Sequence, residues 1–250
     1  MNEQITLFDF IREDFSVKNK IRLIELFAGY GSQSMALRNL GADFEHYRVV
    51  EFDKYAIASY NAIHGTDFPT IDIKDVKGVD LGIEDRERFT YLLTYSFPCT
   101  DLSVAGRMAG MKEDSGTRSS LLWQVKRILT ECKDNLPQIL LMENVPAIHN
   151  EQNKPDFRRW LDFLENLGYS SYMQDLNAWD YGIAQSRERT FVVSLLGNYN
   201  YKFPEIIEEL KYCIEDYFED LTEEQALQLV VKSDKALALL VELDEKNELE

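Results

Sequence analysis

Tyr91-Leu92-Leu93-Thr94-Tyr95-Ser96-Phe97-Pro98-Cys99-Thr100-Asp101-Leu102-Ser103 joins a β-forming apolar run to a proline–cysteine turn. Tyr91, Thr94, Tyr95 and the two leucines suit a buried strand, and Pro98 ends it because proline cannot donate to a sheet ladder. Cys99 is therefore expected just past the carboxyl end of a strand. In open α/β sheets that edge is where ligands bind. A thiol there becomes a nucleophile when its pKa is lowered, although a lone intracellular cysteine is more often an inert small hydrophobe. The rest of the chain has to decide between the two.

Upstream, Ile21 to Phe27 reads as a strand running into Ala28-Gly29-Tyr30-Gly31-Ser32, a glycine turn opening a helix through Leu40. This strand, turn and helix open a nucleotide-type binding fold. His46 to Glu51 reads as a second strand ending in an acid, and Asp53 caps a helix through about Ile63. Glu51 lies 20 residues after Gly31, the distance at which such folds place a carboxylate on ribose hydroxyls. Ser34 stands where a dinucleotide fold has its third glycine, which favours a cofactor with a ribose but no phosphate. Ile71-Asp72-Ile73 reads as a short strand end carrying a carboxylate.

Downstream, the glycine-dotted segment 100–116 is long enough for a binding loop or lid. Thr117 caps a helix carrying Leu121, Leu122, Val125, Ile128 and Leu129. Pro137 to Met142 is an apolar strand ending in Glu143-Asn144-Val145-Pro146, an acid and an amide that are costly there unless paired. A helix from Phe157 ends at Gly168, and a strand through Tyr172 follows. Next come Gln185-Ser186-Arg187-Glu188-Arg189 and a strand from Thr190 to Leu196. Arg187 and Arg189, with one residue between them, are expected on opposite faces, so that only one looks at a ligand.

Bulk properties bound the function. No apolar run reaches the length of a membrane span, and Met1-Asn2-Glu3-Gln4-Ile5 lacks the basic start of a signal peptide. Cys99, Cys132 and Cys213, widely spaced and odd in number, form neither a disulfide framework nor a zinc pattern, so a reducing cytoplasmic setting fits and no metal is expected. Cys132 and Cys213 are read as structural, at helical positions. Residues 1–20 suggest a lead-in helix, residues 21–200 one catalytic domain, and residues 201–250 an acidic helical tail with a capping box at Thr222-Glu223-Glu224-Gln225. The chain carries a net charge of −17, and the tail, with 15 acidic and 5 basic side chains, holds −10 of it. That balance is unfavourable for a phosphate backbone.

Taken together, the stretches resemble the C5-cytosine DNA methyltransferase family. The resemblance rests on Glu25-Leu26-Phe27-Ala28-Gly29-Tyr30-Gly31, Glu51, Asp72-Ile73, Phe97-Pro98-Cys99 with Ser103, Thr117-Arg118-Ser119-Ser120-Leu121, Glu143-Asn144-Val145 and Gln185-Ser186-Arg187-Glu188-Arg189, in the family's order. It implies an α/β, Rossmann-like S-adenosylmethionine-dependent methyltransferase fold with a mostly parallel sheet, to which the acidic helical appendage read from residues 201–250 is added. By the same resemblance Cys99 adds to C6 of a flipped-out cytosine and Glu143, kept protonated by burial, bonds N3. Arg187 or, preferentially, Arg189 holds O2, Asn144 shapes the Pro98–Cys99 turn, and the loop with Ser103 and Arg107 closes over the base. Phe27, Gly29 and Gly31 would flank S-adenosylmethionine, Glu51 its ribose, and Asp72 and Ile73 its adenine, with Phe52 and Pro98 as further cofactor-binding residues. Nothing beyond Leu196 matches the family's target-recognition region or its final cofactor-closing motif. Double-stranded DNA is then the expected substrate, with a second subunit or a missing segment supplying target recognition. A catalytically silent binding module and an RNA cytosine methyltransferase are the alternatives.

Overall fold

The computed structural model describes residues 12–99, 102, 110–113, 115–132, 134–206, 212–230 and 232–246. Its centre is a six-stranded sheet made of β2 (Lys20–Leu26), β3 (Phe44–Val50), β4 (Phe89–Tyr95), β5 (Ile139–Asn144), β6 (Tyr169–Asn177) and β7 (Glu188–Leu196), in the order β3-β2-β4-β5-β7-β6. The first four strands in that order are parallel, and β7 runs antiparallel to both β5 and β6. Every residue of β4 from Thr90 to Tyr95 is buried, as a parallel strand covered on both faces requires.

The crossovers are α1 (Ser32–Asn39) between β2 and β3, and α3 (Leu122–Cys132) between β4 and β5. After β3 come α2 (Lys54–His64) and the return to β4, and α4 (Lys154–Asn166) precedes β6. Asp53 caps α2 as its sequence predicts, accepting the Tyr55 and Ala56 N–H groups at 2.7 and 3.0 Å. Those two amides hold its carboxyl below the usual range. Helices α3 and α4 turn Val125, Ile128, Leu129, Phe157, Trp160 and Leu164 into one core, where the Trp160 indole donates to the buried Tyr95 hydroxyl at 3.2 Å.

Strand order places the site. From β2 the chain steps to β3 on one side and returns through β4 on the other, with Leu26 and Tyr95 in register at the two carboxyl ends. The crevice between diverging connections is where an open α/β sheet takes its ligand.

Three expectations are corrected. Residues 13–14 form a short strand, β1 (Glu13–Asp14), rather than a lead-in helix, and pair with β8 (Tyr199–Asn200), with Phe15 packed edge-on against Tyr199. Residues 1–11 lie outside the described residues. Ile71-Asp72-Ile73 is not a strand: Ile71 N–H makes one bond to Glu51 O, and Asp72 Oδ1 then takes the Lys74 amide at 2.9 Å and turns the chain. Cys132 closes α3, buried, its thiol pushed up to about 11 by desolvation, but Cys213 is exposed and non-helical. Its backbone amide bonds Asp216 Oδ2, and the side chain packs into no core.

The tail contains α5 (Glu223–Leu229) and α6 (Asp234–Glu245). The expected capping box is present: Thr222 Oγ1 accepts from Gln225 N at 3.3 Å and Gln225 Oε1 from Thr222 N at 2.9 Å. Neither helix contains a buried residue. Among the described residues no helix is long and apolar enough to cross a membrane.

Candidate active site

Two cavities open side by side at the carboxyl ends of β2, β4 and β5. The smaller, about 290 Å³, is lined by Phe27, Glu51, Phe52, Asp72, Ile73 and Pro98 among others. The larger, about 540 Å³, is bounded by Gly29, Tyr30, Gln33, Glu143, Tyr181, Arg187 and Arg189 among others. Phe27 and Ser96 line both.

The wall between them is a strained turn. Phe27 has φ +59°, and it is the one non-glycine residue with a left-handed backbone among those described. For a bulky residue that conformation costs about 1–2 kcal/mol and persists where surrounding structure enforces it. Glu51 does the enforcing: its Oε2 accepts the Gly29 amide at 2.9 Å and its Oε1 the Asp53 amide at 2.8 Å. One buried carboxylate thus ties the glycine turn to the start of α2 while facing the smaller cavity.

The two glycines of the turn have different reasons. Gly29, φ +56°, has nothing within 4 Å of where a Cβ would stand. A ligand can therefore approach its backbone closely. Gly31, φ +84°, lines neither cavity, and its Cβ would run into the Tyr60 ring and His64 Nε2. Tyr60 is fixed there by the buried Glu25, whose Oε2 also takes the Ser34 hydroxyl at 2.6 Å, and burial pushes the Glu25 carboxyl up. Gly31→Ala is accordingly expected to destabilise the fold by about 2–5 kcal/mol, the sum of left-handed strain and overpacking. Urea unfolding checks this, and an unchanged midpoint would refute it.

The Phe97-Pro98-Cys99 turn is gripped from three sides. Asn144 Nδ2 donates to Phe97 O at 3.0 Å, Ser119 Oγ to Pro98 O at 2.7 Å, and the Leu102 amide to Cys99 O at 2.9 Å. Asn144 is itself buried, with its Oδ1 accepting the Val145 amide. The amide at the end of β5 therefore holds the turn at the end of β4. Cys99 is half-buried and free. Ser103 and Arg107 lie outside the described residues.

Arg189 Nε meets Glu143 Oε1 at 3.0 Å on the floor of the larger cavity. Two expectations fail here. The Glu143 side chain is 25% exposed and ion-paired, so burial does not isolate it. Arg187 and Arg189 both line this cavity, because residues i and i+2 of an extended chain share a face. Their roles still differ. Arg189 is engaged with Glu143, whereas Arg187 is exposed, its backbone amide held by Asn177 Oδ1 at 2.9 Å.

Sequence reasoning gave no role to Ser96, Tyr30, Gln33, Tyr181 or Leu121, all of which line a cavity. Ser96 alone carried a signal, as the first residue past the central strand.

A family model described as C-5 cytosine-specific DNA methylase matches residues 21–248. Among curated relatives, the type II methyltransferase M2.ScrFI of Lactococcus lactis subsp. cremoris is 33% identical over 237 residues, covering 74% of this chain and 64% of its own. The orphan methyltransferase M.SssI of Spiroplasma monobiae is 34% identical over 233 residues, covering 72% and 60%. The chain thus spans less than two thirds of either relative. In fold it is similar to the Entamoeba histolytica methyltransferase EhMeth, with a TM-score of 0.67 at 17% identity over 83% of this chain and 62% of that one.

Proposed function

Because this chain belongs to the C-5 cytosine-specific DNA methylase family, we propose that it moves a methyl group from S-adenosylmethionine to C5 of a DNA cytosine through a covalent Cys99 adduct. The observation that carries the reading is the pair of cavities sharing Phe27 and Ser96. One has the character of a nucleoside site and includes Pro98, the residue before Cys99, in its lining, and the other ends on an acid–guanidinium pair.

The smaller cavity fits the cofactor. Gly29 leaves its backbone open, Glu51 and Asp72 offer acceptors to ribose hydroxyls and an adenine amine, and Phe27, Ile73 and Leu121 give apolar walls. Its two carboxylates would repel a pyrophosphate, which separates this site from a dinucleotide site. When bound, S-adenosylmethionine supplies an electrophilic methyl group on a sulfonium. Glu51→Ala should weaken its binding by about 1.5–3 kcal/mol, the loss of a charged hydrogen bond, with slack in the Gly29 turn added. Titration calorimetry reads this, and NAD binding tighter than S-adenosylmethionine would overturn the assignment.

The larger cavity would take the base, flipped out because C5 and C6 are covered by stacking in a duplex. The Cys99 thiolate forms a bond to C6 while N3 takes a proton from Glu143, leaving an electron-rich C5. Arg189 holds Glu143 in place and reaches toward the base O2. Once C5 carries the methyl, its proton leaves to water, the C5–C6 double bond re-forms, Cys99 departs as thiolate and N3 returns its proton.

The test is mass spectrometry of the protein after mixing with S-adenosylmethionine and DNA carrying 5-fluorocytosine, whose fluorine cannot leave C5. An adduct on the peptide containing Cys99 is expected. Its absence while methyl transfer to ordinary cytosine proceeds would overturn the covalent route. Target recognition is assigned to a second polypeptide or a continuation of this chain, and the setting to the cytoplasm.

A further inference from the structure

The larger cavity has two walls set by the strand order. The β2–α1 turn forms one and the β6–β7 connection the other, with Ser96 after β4 and Glu143 of β5 between them. Each wall carries an exposed aromatic side chain. Tyr30, 56% exposed, comes from the glycine turn and lines the cavity. Trp179, 51% exposed, sits on the 3-10 turn Ala178–Tyr181, whose Ala178 and Tyr181 line it.

An exposed indole is unusual, and here it contrasts with the other two tryptophans. Trp123 is 6% exposed and Trp160 fully buried. The turn that presents Trp179 is held from several sides. Asn177 Oδ1 accepts both the Trp179 amide at 3.2 Å and the Arg187 amide at 2.9 Å, and Asn177 Nδ2 reaches Ser186 Oγ at 3.3 Å. Gly182, φ +79°, closes the turn through a bond to Trp179 O at 3.2 Å. One asparagine therefore fixes the main chain at both Trp179 and Arg187, which carry a flat apolar ring and an exposed guanidinium on the same short connection at the cavity's edge. A ring for a base and a guanidinium for a phosphate are what an unpaired nucleic-acid strand requires.

We propose that Trp179 is a stacking platform for a nucleobase adjoining the one that enters the larger cavity, with Arg187 on the flanking phosphate and Tyr30 bounding the strand on the opposite wall. This rests on the methylase reading above. Extruding a base deprives its neighbours of a stacking partner, and an indole replaces it. In a chain of net charge −17 the contact also matters because stacking, unlike counterion release, does not depend on a basic surface.

Trp179 is the one exposed tryptophan, so its emission can be followed directly. The probe is a single-stranded dodecamer with one 5-fluorocytosine, added with S-adenosylmethionine, reading tryptophan quenching and the mass of the Cys99 adduct. Quenching is expected in the unsubstituted protein. Trp179→Ala should lose it and bind the dodecamer about tenfold more weakly, with Trp179→Phe retaining most of the affinity. Adduct without quenching, or equal affinity in Trp179→Ala, overturns the platform and leaves the methylase reading; the indole would then be a protein contact. Quenching without adduct keeps the platform and removes the covalent mechanism. Neither signal overturns both.

Discussion

Replacing Cys99 by alanine should abolish methyl transfer, by a factor on the order of 10⁴ or more, because in the proposed mechanism the Cys99 sulfur forms the bond to C6. The fold should survive. The turn is held by Asn144, Ser119 and the Leu102 amide acting on backbone carbonyls, and none of those bonds uses the sulfur. Cys132→Ala gives the contrasting result: activity persists while stability falls modestly, since Cys132 is buried with its Sγ 3.6 Å from Gly78 O. Cys213→Ala should change neither, because the side chain is exposed. The measurement is labelled-methyl incorporation for all three variants beside their urea midpoints, under conditions where the unsubstituted protein is active. Turnover undiminished in Cys99→Ala would remove the covalent mechanism, whatever the stability data say.

Asn144 is the companion to that experiment. Among the described residues it bonds the Cys99 turn at Phe97 O, so it is a positioning residue. Its loss should lower the rate of adduct formation without preventing it, a split that separates holding the nucleophile from being one.

Local chemistry made much of this legible in the sequence. Pro98 stops a β-forming run, Asp53 precedes α2 with a side chain that caps it, and Thr222 stands three residues before Gln225. Each of these signals acts within a few residues, so each could be read from a few residues. What was misread depends on contacts between elements. Gly31 belongs to Tyr60 on α2, and no turn pattern shows which ring will fill the place of its side chain. Glu143 reads as a buried strand end, yet the β6–β7 connection leaves the cavity open above it. Arg187 and Arg189 share the cavity because alternation over two residues returns to the same face. Ser96, Tyr30 and Tyr181 become neighbours of one space only after β2, β4 and β7 take their places in the sheet.

If target recognition comes from a second polypeptide, as proposed, the 250-residue chain alone should methylate mixed-sequence duplex at least about 100-fold more slowly than with it, a gap of roughly 3 kcal/mol in transition-state binding. It spans 64% of M2.ScrFI and 60% of M.SssI, so the site it builds corresponds to part of a longer family chain. Its charge works in the same direction. A chain of −17 with −10 concentrated beyond residue 200 is unfavourable for a phosphate backbone. The tail also presents an unsatisfied apolar surface. Phe218, Leu227, Leu229, Leu239 and Val241 are all exposed, and α5 and α6 bury nothing. The proposed partner would then be expected to meet these acidic helices and their exposed leucines with a basic surface bearing an apolar groove. The assay is labelled-methyl transfer to mixed-sequence duplex, with and without fractions from the native host, for the unsubstituted chain and for Leu227→Asp with Leu239→Asp. Stimulation of the first and not the second is expected, with cofactor binding equal in both. Fast, sequence-specific methylation by the chain alone would mean that residues 197–250 read DNA themselves.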